Sequence, residues 1–219
     1  MATFALIHGA GDVGWYWHLV EAELRGKGHD VVAPDLPCDD DRAGLSEYAD
    51  TVLDAIGDRC DLVVVAQSAG AFTAPLVCDR TPVEQLVLVA GLIPVPGEAG
   101  RDWWTNTGYE SPAESYDVVA TFYHDVPPEL AAEALERSRA QSDTPSLEPW
   151  PLEAWPDVDT RFLLCRNDRL LPADFLRQVV RERLGFAPDE IESGHCPALS
   201  RPKELAERLD AYRVSRDQR

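Results

Sequence analysis

Positive charge is scarce in this chain, and the scarcity removes several function classes at once. Lys27 and Lys203 are its only lysines, and 20 basic residues stand against 39 acidic ones, for a net charge of −19. A surface so acidic repels phosphate backbones and anionic lipid, so neither nucleic acid nor a membrane surface is an expected partner. Long apolar runs are missing too: none reaches the roughly 18 residues that a membrane-spanning helix needs. The first residues carry no basic region or cleavage site and enter a strand at once, so no signal peptide is expected and the expected compartment is the cytoplasm. Cysteine is sparse and unpatterned. The five residues at 38, 60, 78, 165 and 196 are odd in number and contain no CxxC pair, which speaks against a disulfide or zinc framework. No metal or cofactor is expected.

What is present is a regular alternation. Apolar strand-like runs at about 4–7, 29–33, 61–66, 85–90, 161–165 and 187–191 alternate with helical stretches near 15–27, 45–57, 69–80, 173–184 and 202–213. Alternation of this kind implies right-handed crossovers and a mainly parallel sheet of about six strands with helices on both faces, an α/β fold. The 219 residues suffice for one such domain, with a core of 1–93 and 157–219. The interruption is 94–156. This segment is rich in proline and carries Trp103, Trp104, Tyr109, Tyr116, Phe122, Tyr123, Trp150 and Trp155. Pro127-Pro128 leads into a helical stretch there, as expected of proline in a first turn.

Chemistry concentrates where strands end. Leu62-Val63-Val64-Val65 runs into Ala66-Gln67-Ser68-Ala69-Gly70 and then a helix start. One serine between small residues at a strand-to-helix turn fits a nucleophile elbow, in which the hydroxyl is lifted above the sheet edge. Ala66 and Gly70 are small where strand and helix must cross closely, although glycine is usual at the first of these positions. The same pentapeptide also fits a plain strand–turn–helix, so context decides. A nucleophilic serine needs a base and a group that orients the base. His195 follows Ser193-Gly194 after a short strand-like stretch, and Asp168 follows the run Phe162-Leu163-Leu164-Cys165. Ser68, Asp168 and His195 thus fall beyond the carboxyl ends of three strands, where open α/β sheets collect their functional groups, and in the chain order serine, acid, histidine. Glu98 is a rival position for the acid, His124 fits a surface or cap-packing histidine better than a substrate contact, and Cys196 is a neighbour of the base that fits best as a small apolar filler.

A developing oxyanion needs preorganised N–H donors. The backbone N–H groups of Ala69, directly after the serine, and of Ala10, on the loop His8-Gly9-Ala10-Gly11 after the first strand, are the candidates. Gly9, Gly11 and Gly14 let that loop approach a ligand. Their spacing, with Asp35 after the next strand, also matches a short dinucleotide fingerprint, a pattern of low specificity that the bulky Trp15-Tyr16-Trp17 disfavours.

Together, Leu6-Ile7-His8-Gly9-Ala10, Val32-Ala33-Pro34-Asp35-Leu36-Pro37, the Ser68 turn, Asp168 and His195 resemble the α/β-hydrolase superfamily over nearly the whole chain. The resemblance is to its small single-domain branch of plant-type methylesterases, hydroxynitrile lyases and bacterial esterase-like proteins. It implies Ser68 as nucleophile, His195 as base, Asp168 as its orienter, and 94–156 as a small, partly helical cap over the site. Among the cap aromatics, Trp103, Trp104 and Tyr123 are the candidates for lining a pocket, which suits a small apolar or aromatic substrate. The lyases carry a lysine after the histidine and a threonine in the first loop. Cys196 and Gly9 stand there in this chain, against cyanohydrin cleavage. A serine at 68 also departs from the aspartate nucleophile of dehalogenases and epoxide hydrolases. The reaction expected is hydrolysis of a small carboxylic ester or lactone through an acyl-enzyme. C–C hydrolysis, lyase chemistry or acyl transfer on the same triad, and non-catalytic binding of a small molecule, remain the alternatives.

Overall fold

The computed structural model describes residues 1–110 and 117–216, with side chains to 213; Tyr116 lies outside the described residues. Among these residues six strands form one parallel sheet: β1 (Thr3–Ile7), β2 (Asp30–Val32), β3 (Leu62–Gln67), β4 (Gln85–Val89), β5 (Asp159–Cys165) and β6 (Asp189–Ile191). Their spatial order is β2-β1-β3-β4-β5-β6. The central strands are apolar on both faces, as a sheet covered on both sides requires. Ala5, Ile7, Val64, Ala66, Leu86, Leu88, Phe162 and Leu164 enter one core, while Phe4, Leu6, Val63, Val65, Val87, Val89 and Leu163 enter the other.

The helices divide between these cores. α1 (His18–Gly26) contributes Val20 and Leu24 to the second core. α2 (Leu45–Ile56) and α3 (Ala74–Arg80) send Ala49, Val52, Leu76 and Val77 into the first. The long β4–β5 excursion forms four short helices among its described residues: α4 (Trp103–Asn106), α5 (Val118–Phe122), α6 (Pro128–Arg137) and α7 (Thr144–Leu147). α8 (Ala173–Leu184) then packs on the first core, and α9 (Pro197–Ser200) and α10 (Pro202–Arg216) on the second. No helix among the described residues is long and apolar enough to cross a membrane.

The apolar pattern predicts one helix over 69–80. The chain instead makes a 3-10 turn at Ser68–Phe72 and starts α3 at Ala74. Pro75 has no N–H to offer the carbonyl a turn back, so an α-helical ladder cannot run through it unbroken. The 15–27 stretch likewise opens with a 3-10 turn over Gly14–Trp17 before α1.

Strand order positions the site. From β1 the chain crosses to β2 on one side, then returns to place β3 on the other. The loops leaving β1 and β3 therefore diverge, opening a crevice above their carboxyl ends. The excursion is tied down across it. Glu148 accepts the Leu45 N–H at the start of α2, and the Arg139 amide donates to Gly11 O at 2.8 Å.

Candidate active site

Ser68 directly follows β3 with φ of +51°, a left-handed conformation uncommon for a non-glycine residue. The turn holds because its neighbours close around it. A Cβ on Gly70 would lie 2.6 Å from the carbonyl oxygen of His8, so the turn can press against the end of β1 only without a side chain there. The Ser68 carbonyl accepts from Leu92 N–H at 3.1 Å, tying the turn to the end of β4. Among the described residues the Ser68 hydroxyl has no hydrogen-bond partner. It opens instead into a cavity of about 730 Å³ that His195, Ala10 and Ala69 also line.

His195 and Asp168 are joined directly, Nδ1 to Oδ2 at 2.7 Å, with both side chains buried. The second carboxylate oxygen of Asp168 accepts the N–H groups of Leu170 and Leu171 at 2.8 and 3.0 Å. Those two donors fix the carboxylate, which fixes the ring. Nδ1 must carry the proton it gives to Asp168, leaving Nε2 as a lone pair able to accept one. Phe122 meets the imidazole edge-on at 5.3 Å between centroids, and Gln67 Nε2 donates to the His195 carbonyl at 3.2 Å.

The loop carrying His195 is clamped by the excursion. Asp125 Oδ2 accepts the Gly194 N–H at 2.7 Å, and His124 Nε2 donates to the Asn167 carbonyl at 3.0 Å, beside Asp168. A Cβ at Gly194 would fall 2.5 Å from Asp125 Oδ1 and 2.7 Å from His124 Nε2. His124 thus holds the main chain of the loop that carries Asp168. Glu98, the rival acid, is committed elsewhere. Its buried carboxylate takes both Nη atoms of Arg183 at 2.5 and 2.8 Å and the Asn106 amide at 3.0 Å.

The N–H groups of Ala10 and Ala69 make no hydrogen bond within the described residues, so both are free to serve a ligand oxygen. His8 shapes the first of them. Its Nε2 accepts from Leu36 N–H at 2.9 Å, so the proton sits on Nδ1 and goes to Gly9 O at 2.8 Å. Burial lowers its pKa from 6.5 to about 4, and the neutral ring acts as a fixed strut between the loops after β1 and β2. Asp35 has both oxygens engaged within the protein, one by Gly14 N–H at 2.7 Å and the other by Arg139 at 2.9 Å. That use accounts for the aspartate that the dinucleotide pattern would have placed on a ribose.

Of the aromatics expected to line a pocket, Trp104 and Tyr123 face the cavity. Trp103 does not. It is fully buried in the first core, its Nε1–H on Ile93 O at 2.9 Å and its ring edge-on to Phe175. The short α4 puts Trp103 and Trp104 on different faces, so one packs inward and the other outward. Cys196 borders the cavity but burial holds its thiol far above the ordinary range, so it stays protonated.

Sequence reasoning did not single out Tyr109, Phe122, Arg139 or Asp12, all of which line the cavity. Burial pushes the Asp12 carboxyl up to about 7, against the opposing influence of His195 and of the Val13 N–H. Its position, two residues after Ala10, was the one available signal.

The sequence profile described as the Alpha/beta hydrolase family matches residues 4–208. Among curated relatives, Methylesterase 7 of Arabidopsis thaliana is 23% identical, over 92% of each chain. Polyneuridine aldehyde esterase has a similar crystal structure, with a TM-score of 0.83 at 18% identity over 97% of this chain and 99% of that one. A pyrethroid hydrolase from Sphingobium faniae JZ-2 also gives 0.83, at 20% identity over 100% of this chain and 99% of that one.

Proposed function

This chain belongs to the alpha/beta hydrolase family, and from that premise we propose that it is a serine esterase, cleaving a small carboxylic ester or lactone through an acyl-enzyme at Ser68. The observation that carries the proposal is the Asp168–His195 pair opening onto the same cavity as the Ser68 turn. The similar proteins named above are a methylesterase, polyneuridine aldehyde esterase and a pyrethroid hydrolase, which supports ester hydrolysis as the class of reaction.

His195 Nε2 takes the proton of the Ser68 hydroxyl as the oxygen attacks the carbonyl carbon. The bond from serine to histidine forms as substrate enters, since such contacts commonly tighten only in the complex. Asp168 keeps the proton on Nδ1 and stabilises the imidazolium. The N–H groups of Ala10 and Ala69 receive the oxyanion. His195 then protonates the departing alkoxide, and water attacks the acyl carbon with His195 again as base, releasing the acid. The 94–156 segment acts as a cap, excluding water and clamping the His195 loop through Asp125.

Ser68→Ala tests the assignment. Its kcat/KM on an ester should fall at least about 10³-fold with an unchanged circular dichroism spectrum. Turnover preserved in the folded variant rules out the mechanism.

A further inference from the structure

Against the loop after β1 and the turn after Ser68 lies a second cavity, of about 370 Å³. It shares Gly9, Ala10, Ala69, Leu92 and Trp104 with the larger cavity, so the two adjoin along the residues that carry the free N–H groups. Their linings differ. The smaller one excludes Ser68 and His195 and is walled by buried Leu36, Leu45, Phe72 and Leu92, with Pro145 of α7 closing one side. Its buried polar side chains are largely engaged within the protein, and its charged residues, Arg101 and Asp143, lie at its exposed rim. Gln141 accepts Gly11 N–H at 2.9 Å and donates to Tyr48 Oη at 3.1 Å and Ser142 O at 2.9 Å, while His8 is neutral. Arg101 lies beside Asp102 with most of its side chain in solvent. The larger cavity holds Asp12 and Arg139 as well as His195.

Stereochemistry assigns the two spaces. In the tetrahedral intermediate the acyl carbon carries Ser68 Oγ, the oxyanion, the leaving oxygen and the acyl substituent. The leaving oxygen must lie within reach of His195 Nε2 to be protonated, so the alcohol occupies the larger cavity on that side. The oxyanion points at Ala10 and Ala69. The direction left for the acyl substituent is past those two residues, into the smaller cavity.

We infer that the 370 Å³ cavity is the acyl pocket, and that this chain prefers esters of uncharged, apolar acids of medium length. The inference rests on the Ser68 acyl-enzyme reading. It divides the substrate so that the acyl chain is selected by an apolar enclosure, whereas the alcohol meets a wider and more polar space.

Two ester series separate the sides. p-Nitrophenyl esters from acetate to decanoate vary the acyl chain alone, and acetates of ethanol to octanol vary the alcohol alone. In the wild type, kcat/KM should climb by about threefold to fourfold per added methylene up to roughly hexanoate. Leu45→Trp fills the pocket from the start of α2 and should lower the hexanoate-to-acetate ratio at least about 20-fold, by the loss of several such methylene contacts. Ser146→Trp fills it from α7 without disturbing the strands, and should lower the ratio similarly if Leu45→Trp fails to fold. Leu135→Trp, on the larger cavity, should alter the alcohol series instead. A flat acyl series in a wild type whose activity depends on Ser68 overturns the inference and spares the mechanism. So does a pocket-filling variant that changes only the alcohol series. Ester turnover that survives in Ser68→Ala, or no turnover of any ester, removes the mechanism and this inference together.

Discussion

Replacing Asp168 by asparagine changes one atom and should reverse the proton inventory of the site. The two carboxylate oxygens have unlike surroundings. Oδ1 receives the N–H groups of Leu170 and Leu171, and Oδ2 faces His195 Nδ1 at 2.7 Å. An asparagine must keep its oxygen at the first position, because an NH2 there would oppose two donors. Its NH2 therefore faces His195 Nδ1, which can accept that hydrogen bond only by giving up its own proton. The imidazole proton moves to Nε2, toward Ser68, and the ring can no longer take the serine proton. Phe122 and the Gln67 bond to the His195 carbonyl keep the ring in place meanwhile. The expected loss in kcat is about 10⁴-fold, the scale of the corresponding change in other triads, or about 5.5 kcal/mol in the barrier. The stability loss should be smaller, about 1.5–3 kcal/mol for a charge-assisted bond made neutral. Stopped-flow hydrolysis of p-nitrophenyl hexanoate, with thermal unfolding run in parallel, reads both. A folded Asp168→Asn variant within tenfold of the wild type would refute the claim that this carboxylate sets the tautomer.

Three further outcomes follow from the same geometry. Asp12 has a folded-state pKa of about 7 against an ordinary 3.8, so wild-type stability should fall as pH rises from about 4 through about 7 and level off above. Asp12→Asn removes that loss and should gain about 1–3 kcal/mol over the wild type at pH 8 relative to pH 5; equal differences at both pH values in chemical denaturation contradict it. Glu98→Gln breaks the buried pair with Arg183 and should cost about 3–5 kcal/mol while kcat stays within a few-fold; a 10³-fold loss in kcat from a folded variant would restore Glu98 as the acid. Gly70→Ala puts a methyl 2.6 Å from the His8 carbonyl and should cost about 1–3 kcal/mol and at least tenfold in kcat/KM, so a neutral result would show that the Ser68 turn does not need that close approach.

The strands were legible because burial on both faces writes an unbroken apolar run: Leu62-Val63-Val64-Val65 and Gln85–Val89 need no distant partner to be recognised. Ser68, Asp168 and His195 could be singled out because strand ends and chain order are local features. What brings the elements of the site together was not local. Arg139 pairs with Asp35, 104 positions away, and Asp125 holds Gly194 from 69 away. No periodicity reports such contacts. The division of Trp103 from Trp104 was hidden for the same reason, since adjacent tryptophans have identical chemistry and only the packing of α4 separates them. Nothing local in the sequence marks the raised proton affinity of Asp12 either, because it comes from burial in the folded chain.

The central claim is that Ser68 is an activated nucleophile, and a covalent probe reads it most directly. Intact mass after incubation with a fluorophosphonate should show a single adduct on the wild type, located to Ser68 by peptide mapping. The adduct should be absent from Ser68→Ala and strongly slowed in His195→Ala. A folded wild type that stays unlabelled, or an adduct that persists in Ser68→Ala, would contradict the account.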